Sequence, residues 1–296
     1  MYLAPVSYIF VLIYIDYFLY CNEHLVSILS AVSVLDFDSL EDMALDGGID
    51  VVAVVQDYVV TVVLYFLVEN GLLDRMVFKG GTAIKKVYFP DARFSVDLDF
   101  DVVSNVNEGF EKAFEEKLRS LVNSVLGSIY FYDVGKITTS SWLFFNVRYR
   151  VFDIDELTRI DIDLAAPSEL GVPRRVFSRP YVNAEFNVNA YLVERILEKK
   201  VVALLDRNTA KDLWDIYFLH VIKGVEPESR ISGVVDRYNR EYNQNFDLRK
   251  ALFVVEEIIS EQDFHVLSEM YIPENIRADF DTVKHGVAKF IREYWD

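Results

Sequence analysis

Cysteine is almost absent from this 296-residue chain: Cys21 is the only one. A single thiol excludes an intramolecular disulfide and fits a reducing compartment. Histidine is nearly as scarce, with four in the sequence and no ligand-like spacing among them, which argues against a zinc site. Basic charge is in deficit, since 30 lysines and arginines face 47 aspartates and glutamates for a formal net charge of −17. Nucleic-acid binders usually show a basic face, so composition implies no general affinity for nucleic acid. A local basic patch remains open, because the field at a cleft depends on the nearest charges. Internal repeats and low-complexity linkers are also lacking. Residues 2–20 are strongly apolar but lack the positive n-region of a signal peptide and a basic flank, and Asp16 interrupts them. We expect no stable membrane association and a cytoplasmic protein. We read that run as translated sequence upstream of the natural start, with Met43 as an alternative start; a buried element and a weak membrane segment are the competing readings.

What is present is the composition of a folded protein, 52% hydrophobic and 26% charged, in a chain long enough for one large or two modest domains. The informative stretch is Val77 to Asp101, VFKGGTAIKKVYFPDARFSVDLDFD. An apolar run ends in Gly80 and Gly81, and Thr82 opens a short helical pattern. A segment of strict alternation follows, Ser95 to Asp101. In a strand, alternate side chains share a face, so Asp97, Asp99 and Asp101 lie on one side and Val96, Leu98, Phe100 and Val102 on the other. Neighbouring carboxylates raise each other's pKa, and burial adds to the cost. A divalent cation relieves this, and Mg²⁺ typically takes one or two carboxylates together with substrate phosphates and water. A glycine turn opening a helix presents N–H groups and a positive dipole end to an anion such as a triphosphate. Lys79 and Arg93 add positive charge nearby in sequence. Either motif alone is weak; the ordered set of strand, Gly-Gly-Thr, short helix and Asp-x-Asp strand is far more specific.

FKGGTAIKKVYFPDARFSVDLDF resembles the signature of the AbiEii/AbiGii-type nucleotidyltransferase toxins, a branch of the DNA polymerase β-like superfamily. The likeness lies in Gly80-Gly81-Thr82, the lead-in Arg93-Phe94-Ser95, and the core Asp97-Leu98-Asp99-Phe100. The resemblance implies an α+β fold, with a polymerase-β-like core on a mixed sheet (43–190) followed by a helical lobe (191–296). Residues 1–42 form an N-terminal extension of open status. It also implies transfer of a nucleoside monophosphate from an NTP to an acceptor hydroxyl. Mg²⁺ or Mn²⁺ would be held by Asp97 and Asp99. Gly80, Gly81, Thr82, Lys79, Arg93 and Ser95 would contact the nucleotide. A third carboxylate is expected on a later strand. Arg159-Ile160-Asp161-Ile162-Asp163 alternates in the same way, and Asp161 fits the pattern best, with Asp163 as the fallback. A second block carries the likeness further, Lys200-Val-Val-Ala-Leu-Leu-Asp-Arg207 and then Lys211-Asp212-Leu-Trp-Asp215. By resemblance Lys200 touches the phosphates, with Lys199 as its competitor, and Asp215 supports the site. Lys200 and Arg207 are two helical turns apart on one face and would form a positive stripe. Thr209-x-x-Asp212 reads as a capping box, which gives Asp212 a structural role. The family further suggests a toxin with a separate antitoxin and an RNA acceptor, tRNA among them. A protein acceptor and a non-catalytic nucleotide-binding module stay as alternatives.

The remaining elements are read from periodicity. Asp38 or Ser39 caps a helix that ends at Gly47-Gly48. A buried helix runs from Ile49 to Asn70 and a short one from Thr82 to Val87. An amphipathic helix spans Glu108 to Leu126, with Val125 inward. Three β segments follow (Ser128–Val134, Ser141–Val151, Leu157–Ala165), with a turn at Gly135-Lys136. Pro167 to Pro180 is a loop whose Arg174-Arg175 either faces water or meets a phosphate. Helices begin at Asn189.

Overall fold

The computed structural model describes residues 28–103, 108–165 and 170–296. The apolar run at 2–20 lies outside them. Helix α1 (Phe37–Gly47) is capped by Asp36, whose carboxylate accepts from Ser39 N–H, and closes on Gly48 in the left-handed conformation. The cap thus lies two to three residues before the expected Asp38 or Ser39. Helix α2 (Val51–Glu69) starts at the Asp50 cap and is buried almost throughout. It is the one described helix long and apolar enough to cross a membrane, and most of it lies inside the protein. Its long run of valines has no polar stripe because it is packed on all sides.

Strand β1 (Met76–Lys79) leads into α3 (Gly80–Ala83), which widens into a π turn over Ile84–Tyr88. Strand β2 (Asp97–Val102) returns antiparallel to β1. Helix α4 (Glu108–Arg119) follows. It stops short of the expected Leu126, because Ser124–Leu126 leave it to form β3, and Val125 is half exposed rather than inward. Strands β4 (Ile129–Thr138), β5 (Trp142–Val151) and β6 (Ile154–Asp163) form an antiparallel meander. Gly135-Lys136 lies inside β4; the turn comes after Thr138. The loop expected between Pro167 and Pro180 contains β7 (Val172–Arg175), and β8 (Asn187–Ala190) occupies the expected start of a helix. In both cases the short segments pair with each other rather than standing alone.

The eight described strands join one mixed sheet in the order β3-β4-β5-β6-β2-β1-β8-β7. Strands β2 and β6 run parallel, as do β1 and β8. Helix α2 packs against β2 and β6, over the face that carries the fully buried Leu98, Phe100, Ile160 and Ile162. The other face carries the aspartates. Helices follow: α5 (Val193–Arg207), α6 (Ala210–Ile216, continuing as a π turn to Ile222), α7 (Ile231–Tyr242), α8 (Leu248–Phe253), α9 (Glu261–Tyr271) and α10 (Phe280–Tyr294). A boundary at residue 42 cuts α1. Ile28, Val32 and Leu40 lie in the core, and Val32 bridges Val182. The described part of the N-terminal extension therefore belongs to the packed unit.

Phe114 of α4 stacks on Phe145 of β5, with centroids 5.1 Å apart, and both are fully buried. Phe145→Ala should cost about 3–5 kcal/mol in a denaturant titration; a loss below about 1 kcal/mol would mean that α4 does not pack on the sheet this way.

Candidate active site

The parallel pairing of β2 with β6 builds the centre of the site. Its register sets Asp97 beside Arg159, Asp99 beside Asp161 and Asp101 beside Asp163. Adjacent strands are about 4.8 Å apart, so Asp99 and Asp161 stand as immediate like-charged neighbours. Burial raises the Asp99 pKa, and Asp97 adds to this against the pull of Lys79, Lys200 and Arg207. Burial and then the charge of Asp99 push Asp161 up to about 7, against Arg159. Arg159 Nε lies 2.7 Å from Asp161 Oδ1, an ion pair without hydrogen-bond geometry, so this buried oxygen has no hydrogen-bond partner. Arg159 also lies 4.0 Å from Asp97.

The glycines meet these aspartates at close range. Gly80 sits at φ +80°, and a Cβ there would fall 2.1 Å from Asp99 Oδ2. At Gly81 a Cβ would fall 2.7 Å from Arg93 Nη2 and 2.9 Å from Ser95 Oγ. Only glycine lets the backbone approach carboxylate and guanidinium this closely. Lys79, the residue before α3, gives that helix no side-chain cap. Gly80, Gly81, Asp97, Asp99, Asp161, Arg93 and Ser95 are therefore brought together.

Other expected residues are near but already engaged. Thr82 is buried, and its hydroxyl donates to the Asp97 carbonyl, which pins α3 to β2 and leaves no hydroxyl for a phosphate. Lys79 donates to Asp101 and lies 4.0 Å from Asp163. Lys199 and Tyr191 also donate to Asp101, at 2.9 and 2.7 Å. Burial opposes the Asp101 charge, but Lys79 and Lys199 hold its pKa below the usual range. So Lys199 serves Asp101, while its neighbour Lys200 points elsewhere. Lys200 Nζ lies 3.0 Å from Asp212 and 2.7 Å from Asp215. Arg93 grips Asp215 with two hydrogen bonds of 2.7 and 2.9 Å. Arg207 donates to both oxygens of Asp212, and Thr209 caps α6 and bonds the same carboxylate. The expected stripe of Lys200 and Arg207 is thus real as a row of cations but neutralised by Asp212 and Asp215.

One cation escaped the sequence reading. Lys211 is exposed, makes no ion pair among the described residues, and is close enough to Asp97 and Asp215 to feel their charges. Its place in the basic-Asp-x-x-Asp block was the available signal.

The family model for the nucleotidyl transferase AbiEii toxin of type IV toxin–antitoxin systems matches residues 62–285. The chain belongs to that family. It is a nucleotidyltransferase toxin by that membership, and the family implies an antitoxin partner and an NTP substrate. MenT4, a nucleotidyltransferase toxin of Mycobacterium tuberculosis H37Rv, superposes with a TM-score of 0.64 at 18% identity, over 88% of this chain and 90% of that one. JHP933 of Helicobacter pylori gives 0.49 at 21% identity, over 78% and 88%. No curated protein sequence matches. The MenT4 likeness agrees with the AbiEii fold: an α+β protein on a mixed sheet, followed by helices.

Asp215→Ala leaves Arg93 and Lys200 buried without their shared partner, and should destabilise the protein by about 3–5 kcal/mol by denaturant unfolding. An Arg93→Met, Asp215→Leu double change should recover much of this; failure to recover would show that the pair is not the source of the loss. The raised Asp161 has a second consequence. Its folded pKa of about 7 exceeds the unfolded-chain value of 3.8, so the folded state gains from its protonated form below the lower value and loses that gain as pH rises through the upper one. In metal-free protein, Tm should fall across this window, and Asp161→Asn should flatten the fall. Parallel wild-type and variant melts against pH would refute the assignment.

Proposed function

We propose that this AbiEii protein transfers a nucleoside monophosphate from an NTP to a hydroxyl of an RNA acceptor, tRNA among the candidates, in the cytoplasm. The observation that carries the reading is the placement of Asp99 between Gly80 and Asp161. There the backbone of the glycine turn comes up against a pair of carboxylates that repel each other when both are charged.

Asp97, Asp99 and Asp161 fit a hard divalent cation, Mg²⁺ or Mn²⁺. Their oxygens are the preferred donors, and Asp161 Oδ1, buried without a hydrogen bond, faces only the Arg159 guanidinium that a cation would displace. Among the described residues no three such side chains stand close enough together to hold a metal ion by themselves. The fit therefore includes substrate oxygens, as Mg²⁺ sites with nucleotides commonly do. When bound, the metal would supply Lewis-acid stabilisation of the transferring phosphoryl group. The chain's residues supply the rest. Gly80 and Gly81 hold the triphosphate against the start of α3. Lys211 offers a free ammonium to the departing pyrophosphate. Ser95 and Arg93 set the floor beneath Gly81. Asp161 either joins Asp97 and Asp99 in holding the cation or accepts the proton of the acceptor hydroxyl, as the hydroxyl oxygen bonds to the α-phosphorus and the bond from the α-phosphorus to the oxygen of the β-phosphate breaks. Lys200 and Asp215 position the site rather than touch the phosphates in this arrangement.

The test is transfer of label from each α-labelled NTP, with Mg²⁺ or Mn²⁺, onto total RNA, purified tRNA and the protein itself. RNA should be labelled, and Asp97→Ala should lower the rate by at least about a thousandfold. Label on protein alone would favour the protein acceptor. NTP binding without any transfer would favour the non-catalytic module.

A further inference from the structure

Strand β5 divides its side chains cleanly. Leu143, Phe145, Val147, Tyr149 and Val151 are fully buried in the core. The alternate set, beginning with Trp142, Phe144 and Asn146, belongs to the opposite face. That is the face of the aspartates: Phe144 is registered beside Asp161, and Trp142 beside Asp163. Both rings are only half-buried. They are parallel to within 4°, with centroids 5.7 Å apart. On β4, the partner of Phe144 is Ile137, which is 56% exposed. An apolar strip therefore crosses β4 and β5 and ends at Asp161. The core lies behind the sheet, so core packing does not account for two large rings here. Such rings beside a polar site supply flat area for a ligand with a π face.

Strand order decides which substrate meets the strip. The order β5-β6-β2-β1 puts the strip on one side of the Asp99–Asp161 pair and the glycine turn on the other. Under the function proposed above, the triphosphate and its leaving pyrophosphate take the glycine side. In-line displacement brings the attacking oxygen from the opposite side of the α-phosphorus. That is the side of Asp161 and Phe144. The cations on this face suit a polyanion as well. Arg148, Arg150 and Arg159 are each about half exposed, and Lys79 Nζ sits 5.3 Å from the centre of the Trp142 ring.

We propose that Phe144 and Trp142 form a stacking platform for the base next to the attacking hydroxyl of a single-stranded RNA acceptor. Phe144 is the principal contact, because Lys79 already approaches Trp142. The platform rests on the transferase reading, and its test separates the two.

Full-length protein is titrated with a short mixed-sequence oligoribonucleotide while tryptophan fluorescence is followed, and Trp142→Phe assigns the signal. The oligonucleotide should quench wild-type emission. Phe144→Ala should weaken its binding about tenfold, the effect of losing one stacked base. In the transfer assay the same change should raise KM for RNA by a similar factor and leave KM for the NTP within about twofold. Phe144→Tyr should keep near wild-type values, and Phe144→Leu, which preserves apolar bulk and folding, should behave like Phe144→Ala. If wild type transfers label to RNA and neither Phe144→Ala nor Phe144→Leu changes KM for RNA, the platform is overturned and the transferase reading stands. If KM for the NTP rises instead, the strip serves the nucleotide base, and the acceptor assignment is overturned. A wild type that labels no RNA overturns both.

Discussion

Two carboxylates held side by side by a parallel strand pair are the constraint around which this protein is arranged. Asp99 and Asp161 cannot move apart, because the backbone register of β2 and β6 sets their spacing. Their repulsion is worth much more in a partly buried site than in water. The surroundings answer it with charge. Arg159 leans on Asp161, and Lys79, Lys200 and Arg207 lower the cost at Asp99. None of these cations removes it, since the pKa of each aspartate stays raised. A site left in this condition has a standing preference for added positive charge, which is the electrostatic argument for a divalent cation there.

The same cations are held by other anions, and this ties the helices to the sheet. Arg93, from the segment between α3 and β2, bonds Asp215 on α6; Asp215 bonds Lys200 on α5; Lys200 bonds Asp212; and Asp212 takes Arg207. Buried pairs of this kind add little net stability, because desolvation offsets the attraction. What they do is fix geometry, since moving one member strands another. Arg93 also lies directly beneath Gly81. The position of the glycine turn therefore depends on helices more than a hundred residues later in the chain. Lys200 and Asp215 thereby bear on where the glycine turn sits.

The parts of this arrangement that were legible in sequence are those governed by local pattern. Alternation placed Asp97, Asp99 and Asp101 on one face, and β2 carries them in that way. Thr209 caps the helix as expected, accepting from the Asp212 N–H, while the Asp212 carboxylate takes the Thr209 hydroxyl rather than its backbone N–H. What failed was set by distant partners. Ser124–Leu126 continue a helical pattern, yet they pair with β4 and become a strand. Asn189 and Ala190 precede a helix but complete β8 beside β1 and β7. Pairing also decided between adjacent residues. Lys199 and Lys200 are neighbours in sequence, but a helix turns them about 100° apart, so one reaches Asp101 and the other Asp212 and Asp215. No single-sequence rule reveals that Thr82 and Lys79 are occupied, because their partners are fixed by the sheet register.

The register also bears on how so acidic a chain would hold a polyanion. At a net charge of −17, long-range attraction is unavailable, and the cations at the site mostly face carboxylates of their own. Binding by charge alone would then be weak and salt-sensitive. Stacking does not suffer this conflict, since it needs a flat ring with a face within reach of solvent and little charge. The aromatic strip on β5 meets that need and sits beside the carboxylate that would take the acceptor's proton. For a protein of this charge, recognition through rings at the reacting end, with a few arginines behind them, is the arrangement that electrostatics leaves open.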